Sequence, residues 1–97
     1  MEEIQVIVEF TSISRMLTGQ TESLLKVRPG TTYADIISLL GQQFPALVGQ
    51  IIDKNRNSFI PSNLFSLNGQ KILQESDMNL SPKNGERLIL VSLLAGG

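Results

Sequence analysis

The residues with the most chemistry to offer stand last in the sequence: Leu93-Leu94-Ala95-Gly96-Gly97. Two residues without side chains form the thinnest possible polypeptide, able to enter a channel that any Cβ would block. With glycine near 7% of ordinary protein sequence, a Gly-Gly pair at this place arises by chance about half a percent of the time. A cloning remnant is the plain alternative, yet the pair follows an apolar strand pattern with no turn between them. A terminal carboxylate is ionised at neutral pH and is a poor electrophile until it becomes a mixed anhydride. A partner that uses ATP can make that conversion, after which sulfide or an amine displaces the adenylate. The expectation is that Gly97 bears the reactive acyl group and that Gly96 gives it access. Residues 92–97, extended, span about 20 Å at roughly 3.3 Å per residue. Ordering them costs on the order of 1–2 kcal/mol each, so the rest of the chain must offer a docking surface that offsets the cost.

Elsewhere the residue types exclude more than they suggest. The 97 residues contain no Cys and no His, which removes disulfides, thiolate metal sites, a Cys nucleophile and a His general base together. Of the nine carboxylates, Glu2, Glu3 and Glu75 fall near ends or in loops, Glu9 on the polar side of a strand, and Asp35 at a helix cap. No two meet by helical or strand spacing, so solvated surface is the reading and no catalytic residue is expected. Asp53-Lys54-Asn55-Arg56-Asn57 has the opening spacing of a calcium loop, but Ser58 stands where Gly is needed and Leu64 where a bidentate Glu is needed. No metal site follows. Eight Lys+Arg against nine Asp+Glu give a net charge of −1, too balanced for a nucleic-acid binder working by counterion release. The longest apolar run is far short of a membrane span, and the opening residues are unlike a secretory signal. A cytoplasmic protein is expected, with no membrane partner and no cofactor of its own, ATP being used by the activating partner.

These residues have to be positioned by a fold. At 41% hydrophobic and 18% charged, the chain can build one packed domain over residues 1–97, with 92–97 as a flexible C-terminal tail. Ile4, Val6, Val8 and Phe10 alternate with Gln5, Ile7 and Glu9, the period of a strand with one buried face. Ser12 to Gln20 loses that period and reads as a loop. Glu22 to Arg28 resumes an extended pattern that Pro29-Gly30 stops. Thr32 with Asp35 makes a capping box, and Tyr33, Ile36, Ile37, Leu40 and Phe44 follow as one helical stripe. Gly41 weakens its last turn, and Pro45 ends it at Phe44. Ala46 to Ile52 is a candidate short second helix, and Asp53 to Asn63 a polar loop. Leu64 to Ile72 reads as a hairpin around Asn68-Gly69, and Lys83 to Glu86 as a turn. Arg87 to Leu93 is apolar at nearly every residue, as in a central strand covered on both sides or used by a partner. One helix across a mixed sheet of four to five strands satisfies every stripe. That is an α+β architecture, the ubiquitin-like β-grasp.

A docking surface follows from the strand period. If Leu88 and Leu90 face the helix, Ile89 and Val91 point to the other side of the sheet, as Ile7 does on the first strand. Should the first and last strands be neighbours, the three form an exposed apolar patch beside the root of the tail, with Leu94 as a further contact. The alternative is a covered second face or scattered surface apolars.

The order of elements, Leu67-Asn68-Gly69 before a short strand, the run from Leu80 to Arg87 and the closing Ala95-Gly96-Gly97 resemble the ubiquitin-like sulfur carriers. The chain is most similar to the MoaD-like small subunit of molybdopterin synthase, with the ThiS-like thiamine carrier as a cousin; the length from Pro45 to Asn63 fits the former better. The resemblance implies that an E1-like adenylating enzyme activates Gly97, which then becomes a thiocarboxylate. It also implies delivery of that sulfur to a precursor held by the synthase large subunit, with catalysis residing in the partners. Leu93-Leu94 stand where members often carry prolines, which makes this tail more apolar and less stiff. The same terminus would serve a protein modifier that forms isopeptide bonds, and a plain β-grasp binding module is the third reading.

Overall fold

The computed structural model describes residues 2–93. Strand β1, Ile4–Phe10, buries Val6, Val8 and Phe10 completely and turns Ile7 and Glu9 to the opposite face. Strand β2, Glu22–Val27, runs antiparallel to it, with Leu25 opposite Val6. Strand β3, Asn63–Leu67, and the two-residue β4, Lys71–Ile72, form the hairpin read from Asn68-Gly69. Both turn residues take positive φ, 54° and 73°, and the Gln70 N–H closes the turn on the Leu67 carbonyl at 2.9 Å. This is the type I′ geometry that Asn-Gly tolerates. Strand β5, Glu86–Ser92, lies in the middle of the sheet, whose order is β2-β1-β5-β3-β4. It runs parallel to β1 and antiparallel to β3.

The link between β1 and β2 departs from the sequence reading. Ser12–Thr18 is a helix, α1, where a loop is expected. Its local signals are end signals. The Thr11 N–H donates to Ser14 Oγ at 2.9 Å, and Gly19 closes the far end at φ 71° with its N–H on the Arg15 carbonyl. Under two turns long, α1 has too few apolar positions for a helical period to show. The Thr11 hydroxyl donates to the Leu90 carbonyl at 2.7 Å, tying the start of α1 to β5.

The long helix α2, Tyr33–Gln43, crosses the inner face of the sheet. Asp35 N–H donates to Thr32 Oγ1 at 3.1 Å and Thr32 N–H to Asp35 Oδ2 at 3.0 Å, so both halves of the capping box form. Tyr33, Ile36, Ile37 and Leu40 are buried against Val8, Phe65, Leu88 and Leu90. Phe44 caps the C-terminus and meets Phe10 edge to face at 5.3 Å. Gly41 does more than weaken a turn. It is buried, and a Cβ there would lie 3.2 Å from Val48 Cγ2, so its lack of a side chain admits the 45–52 segment. That segment is a single 3₁₀ turn, Pro45–Leu47, followed by tight turns, rather than a second α-helix. Leu47, Ile51 and Ile52 seal the core at that end.

Candidate docking face and tail root

The period-2 pattern of β1 and β5 sends alternate residues to a face that carries no helix. The structure places Ile7, Ile89 and Val91 there, each half-buried, on strands that are direct neighbours. They do not form an unbroken strip. Ile7 pairs with Arg87 and Glu9 with Ile89, so two charged residues are interleaved with the apolar ones. Arg87 Nη1 lies 3.3 Å from Glu22 Oε1 and 3.9 Å from Glu9 Oε1. All three side chains are well exposed, so this bridge contributes little stability and leaves the face polar at its centre.

Three further residues enlarge the face. Leu24 on β2 sits beside Ile7, Leu64 on β3 beside Val91, and Ile72 on β4 beside Ser66. Leu24 and Ile72 are 51% and 54% exposed, unusual for large apolar side chains on a sheet. The alternation in Glu22–Val27, with Ser23, Leu25 and Val27 buried, was the signal that would have placed Leu24 outward. Leu64 and Ile72 needed the strand order, which local sequence does not carry.

The tail root is fixed by hydrogen bonds. Ser92 is the last residue of β5, and its hydroxyl donates to Asn63 Oδ1 at 2.7 Å. The Leu93 N–H donates to the Ser62 carbonyl at 2.6 Å. The expected tail boundary at 92 is therefore too early: residues 92 and 93 are held by the β3 side of the sheet. Leu94, Gly96 and Gly97 lie outside the described residues.

The remaining candidates resolve into structure. The calcium-like spacing makes successive side-chain turns, Asn55 N–H on Asp53 Oδ1 at 3.1 Å and Asn57 N–H on Asn55 Oδ1 at 3.0 Å. Among the described residues no group of three or more His, Cys, Asp or Glu is placed to hold a metal ion. No helix among them is long and apolar enough to cross a membrane. The Tyr33 hydroxyl donates to Glu86 Oε1 at 2.7 Å, fastening the start of α2 to the start of β5. Burial, and then the carboxylate it bonds, hold that phenol well above its ordinary pKa.

A mixed five-stranded sheet in the order β2-β1-β5-β3-β4 with a helix across one face is the ubiquitin-like β-grasp fold. Solved structures share it along nearly the whole chain. The crystal structure of small archaeal modifier protein 1 from Haloferax volcanii aligns with a TM-score of 0.80 at 16% identity, over 96% of this chain and 99% of that one. The same protein from Methanosarcina acetivorans aligns at 0.79 and 19% identity, over 99% of each. A putative molybdopterin converting factor, subunit 1, from Pyrococcus furiosus aligns at 0.70 and 16% identity, over 94% of this chain and 99% of that one. No family model matches the sequence, and no curated protein does.

Proposed function

We propose that this chain is a sulfur carrier of the molybdopterin-synthase small-subunit type, working through Gly97. The observation that carries the reading is the route of the chain. The central strand of a β-grasp sheet runs out beside β3 at Ser92 and leads, two residues beyond the Leu93 anchor, into Ala95-Gly96-Gly97. The Gly97 carboxylate attacks the α-phosphate of ATP in an E1-like enzyme, giving an acyl-adenylate and pyrophosphate. Hydrosulfide then attacks the acyl carbon; the C–S bond forms, the C–O bond to AMP breaks, and AMP leaves. The resulting thiocarboxylate donates its sulfur in the active site of the synthase large subunit. The carrier itself supplies no catalytic group. Ile7, Ile89 and Val91, with Leu94 beyond the anchor, dock it on its partners. Support comes from the shared fold with the putative molybdopterin converting factor.

A second reading, a protein modifier joined through Gly97 to lysine amines, is favoured by the close fold match to two small archaeal modifier proteins. Both readings share the adenylation step and divide after it. Incubation with a cognate activating enzyme, ATP and a sulfide source should exchange one oxygen for sulfur at Gly97, read by intact-protein mass spectrometry. Lysine-linked conjugates in extract without that mass change assign the modifier instead, and neither product overturns both.

A further inference from the structure

The sheet ends on one side at the two-residue β4 and on the other at β2, six residues long and paired only with β1. The bonds at either end of that ladder decide which main-chain groups of β2 are left over. The Phe10 N–H donates to the Thr21 carbonyl at 2.8 Å. At the other end Gln5 turns both its main-chain groups towards β5, its N–H donating to Asn84 Oδ1 and its carbonyl accepting from the Gly85 N–H. With a period of two, Ser23, Leu25 and Val27 therefore bond to β1, and the N–H and carbonyl groups of Glu22, Leu24 and Lys26 point away from the sheet. Among the described residues no hydrogen bond from outside the β1–β2 ladder reaches those groups.

The open stretch is closed off on both sides. The Gln20 N–H donates to Thr18 Oγ1, and the Gln20 carbonyl accepts from the same hydroxyl. The Arg28 carbonyl accepts from the Thr31 N–H at 3.1 Å, and Pro29 has no N–H to offer. What remains is an edge of three residues symmetric about Leu24. An unpaired edge is a template for another strand, and the side chains here fit a second copy of the same edge. Turned antiparallel about a twofold axis through Leu24, two β2 strands set Glu22 of each copy opposite Lys26 of the other, and Leu24 opposite Leu24. Each free N–H on one copy then meets a free carbonyl on the other. Opposite charges facing each other across a strand pair attract, and the two Leu24 side chains, each 51% exposed in the single chain, cover one another. Moving the axis to Ser23 or Leu25 sets Leu24 against Glu22 or Lys26 instead, and parallel pairing in register sets like charges together.

We propose that two copies of this chain associate edge to edge through β2, as an antiparallel pair centred on Leu24 that continues the sheet across both molecules. Three pairs of residues make a small interface, so the association is weak and rises with concentration. The two β5 strands stand five strand intervals apart, about 24 Å at ~4.8 Å each, so the end of β5 at Ser92 stays uncovered in both copies. The pairing rests on the edge alone and holds whether or not Gly97 reacts.

Sedimentation equilibrium of the full chain from about 10 μM to about 1 mM should show the mean mass climbing from one chain towards two. In a mixture of labelled and unlabelled chains, an intermolecular Overhauser effect is expected between the Ser23 and Leu25 Hα atoms, whose Cα atoms lie ~4.5 Å apart across the axis in this register. Lys26→Glu and Glu22→Lys each set like charges across the axis, and each alone should weaken association about tenfold. An equimolar mixture of the two variants restores opposite charges at both ends and should associate as the original chain does. A mass of one chain at the highest concentration overturns the proposal, as does association without the Ser23–Leu25 effect. Single variants that associate undiminished, or a mixture no stronger than either variant alone, overturn it equally.

Discussion

The two faces of β1 and β5 are built from interleaved residues of the same strands, yet they are covered very differently. On the inner face Val6, Val8, Phe10, Leu88 and Leu90 are fully buried beneath α2. On the outer face Ile7, Ile89 and Val91 are half-covered and share their surface with Glu9 and Arg87. Apolar area removed from water on the first face stabilises the fold. Apolar area left on the second still has its transfer energy to give, and a partner can take it. Under the proposed docking role, stability and recognition are separated by one residue of register.

That separation is open to attack by substitution. The largest effect belongs to the inner face: Phe65→Ala should cost about 3–5 kcal/mol through the cavity it leaves, read as a lowered denaturation midpoint. On the outer face Ile89→Asp should leave stability within about 1 kcal/mol. It should also weaken binding to an activating enzyme by about tenfold or more, as for a central interface residue. Equal destabilisation by the two substitutions would erase the distinction between the faces.

A smaller effect comes from the α2–β5 fastening. Tyr33 is the only tyrosine in the sequence, so its phenolate absorbance titrates alone. Its folded pKa lies above the ordinary 10.0, so its contribution is fully present below pH 10 and is lost as the pH climbs through the folded value. The folded protein should therefore ionise at higher pH than the denatured one, and Tyr33→Phe should cost about 1 kcal/mol at neutral pH. Coincident titrations of folded and denatured protein would contradict this. Smallest of all, Arg87→Ala should change stability by less than about 1 kcal/mol, with even that difference shrinking in high salt.

Much of this arrangement was legible in the residues. The capping box at Thr32 and Asp35, the stripe from Tyr33 to Phe44 and the Asn68-Gly69 turn each rest on contacts within a few positions, and local pattern records such contacts well. The apolar run of β5 showed a central strand. Helix α1 escaped because a seven-residue helix offers caps, at Thr11 and Gly19, but hardly any period. The breadth of the outer face escaped for a different reason: Leu24, Leu64 and Ile72 join it through strand pairing, a tertiary fact. At the tail the point where the chain leaves the sheet could not be read locally, because the bonds from Ser92 and Leu93 reach residues some thirty positions away.

The central proposal is that the body presents the tail, that Gly97 reacts and that Gly96 gives it access. Exchange of labelled pyrophosphate into ATP by a cognate activating enzyme reports acyl-adenylate formation as it happens. The full chain should support that exchange, and the chain lacking Gly96 and Gly97 should reduce it to background while melting at the same temperature. Undiminished exchange with the shortened chain would contradict the account.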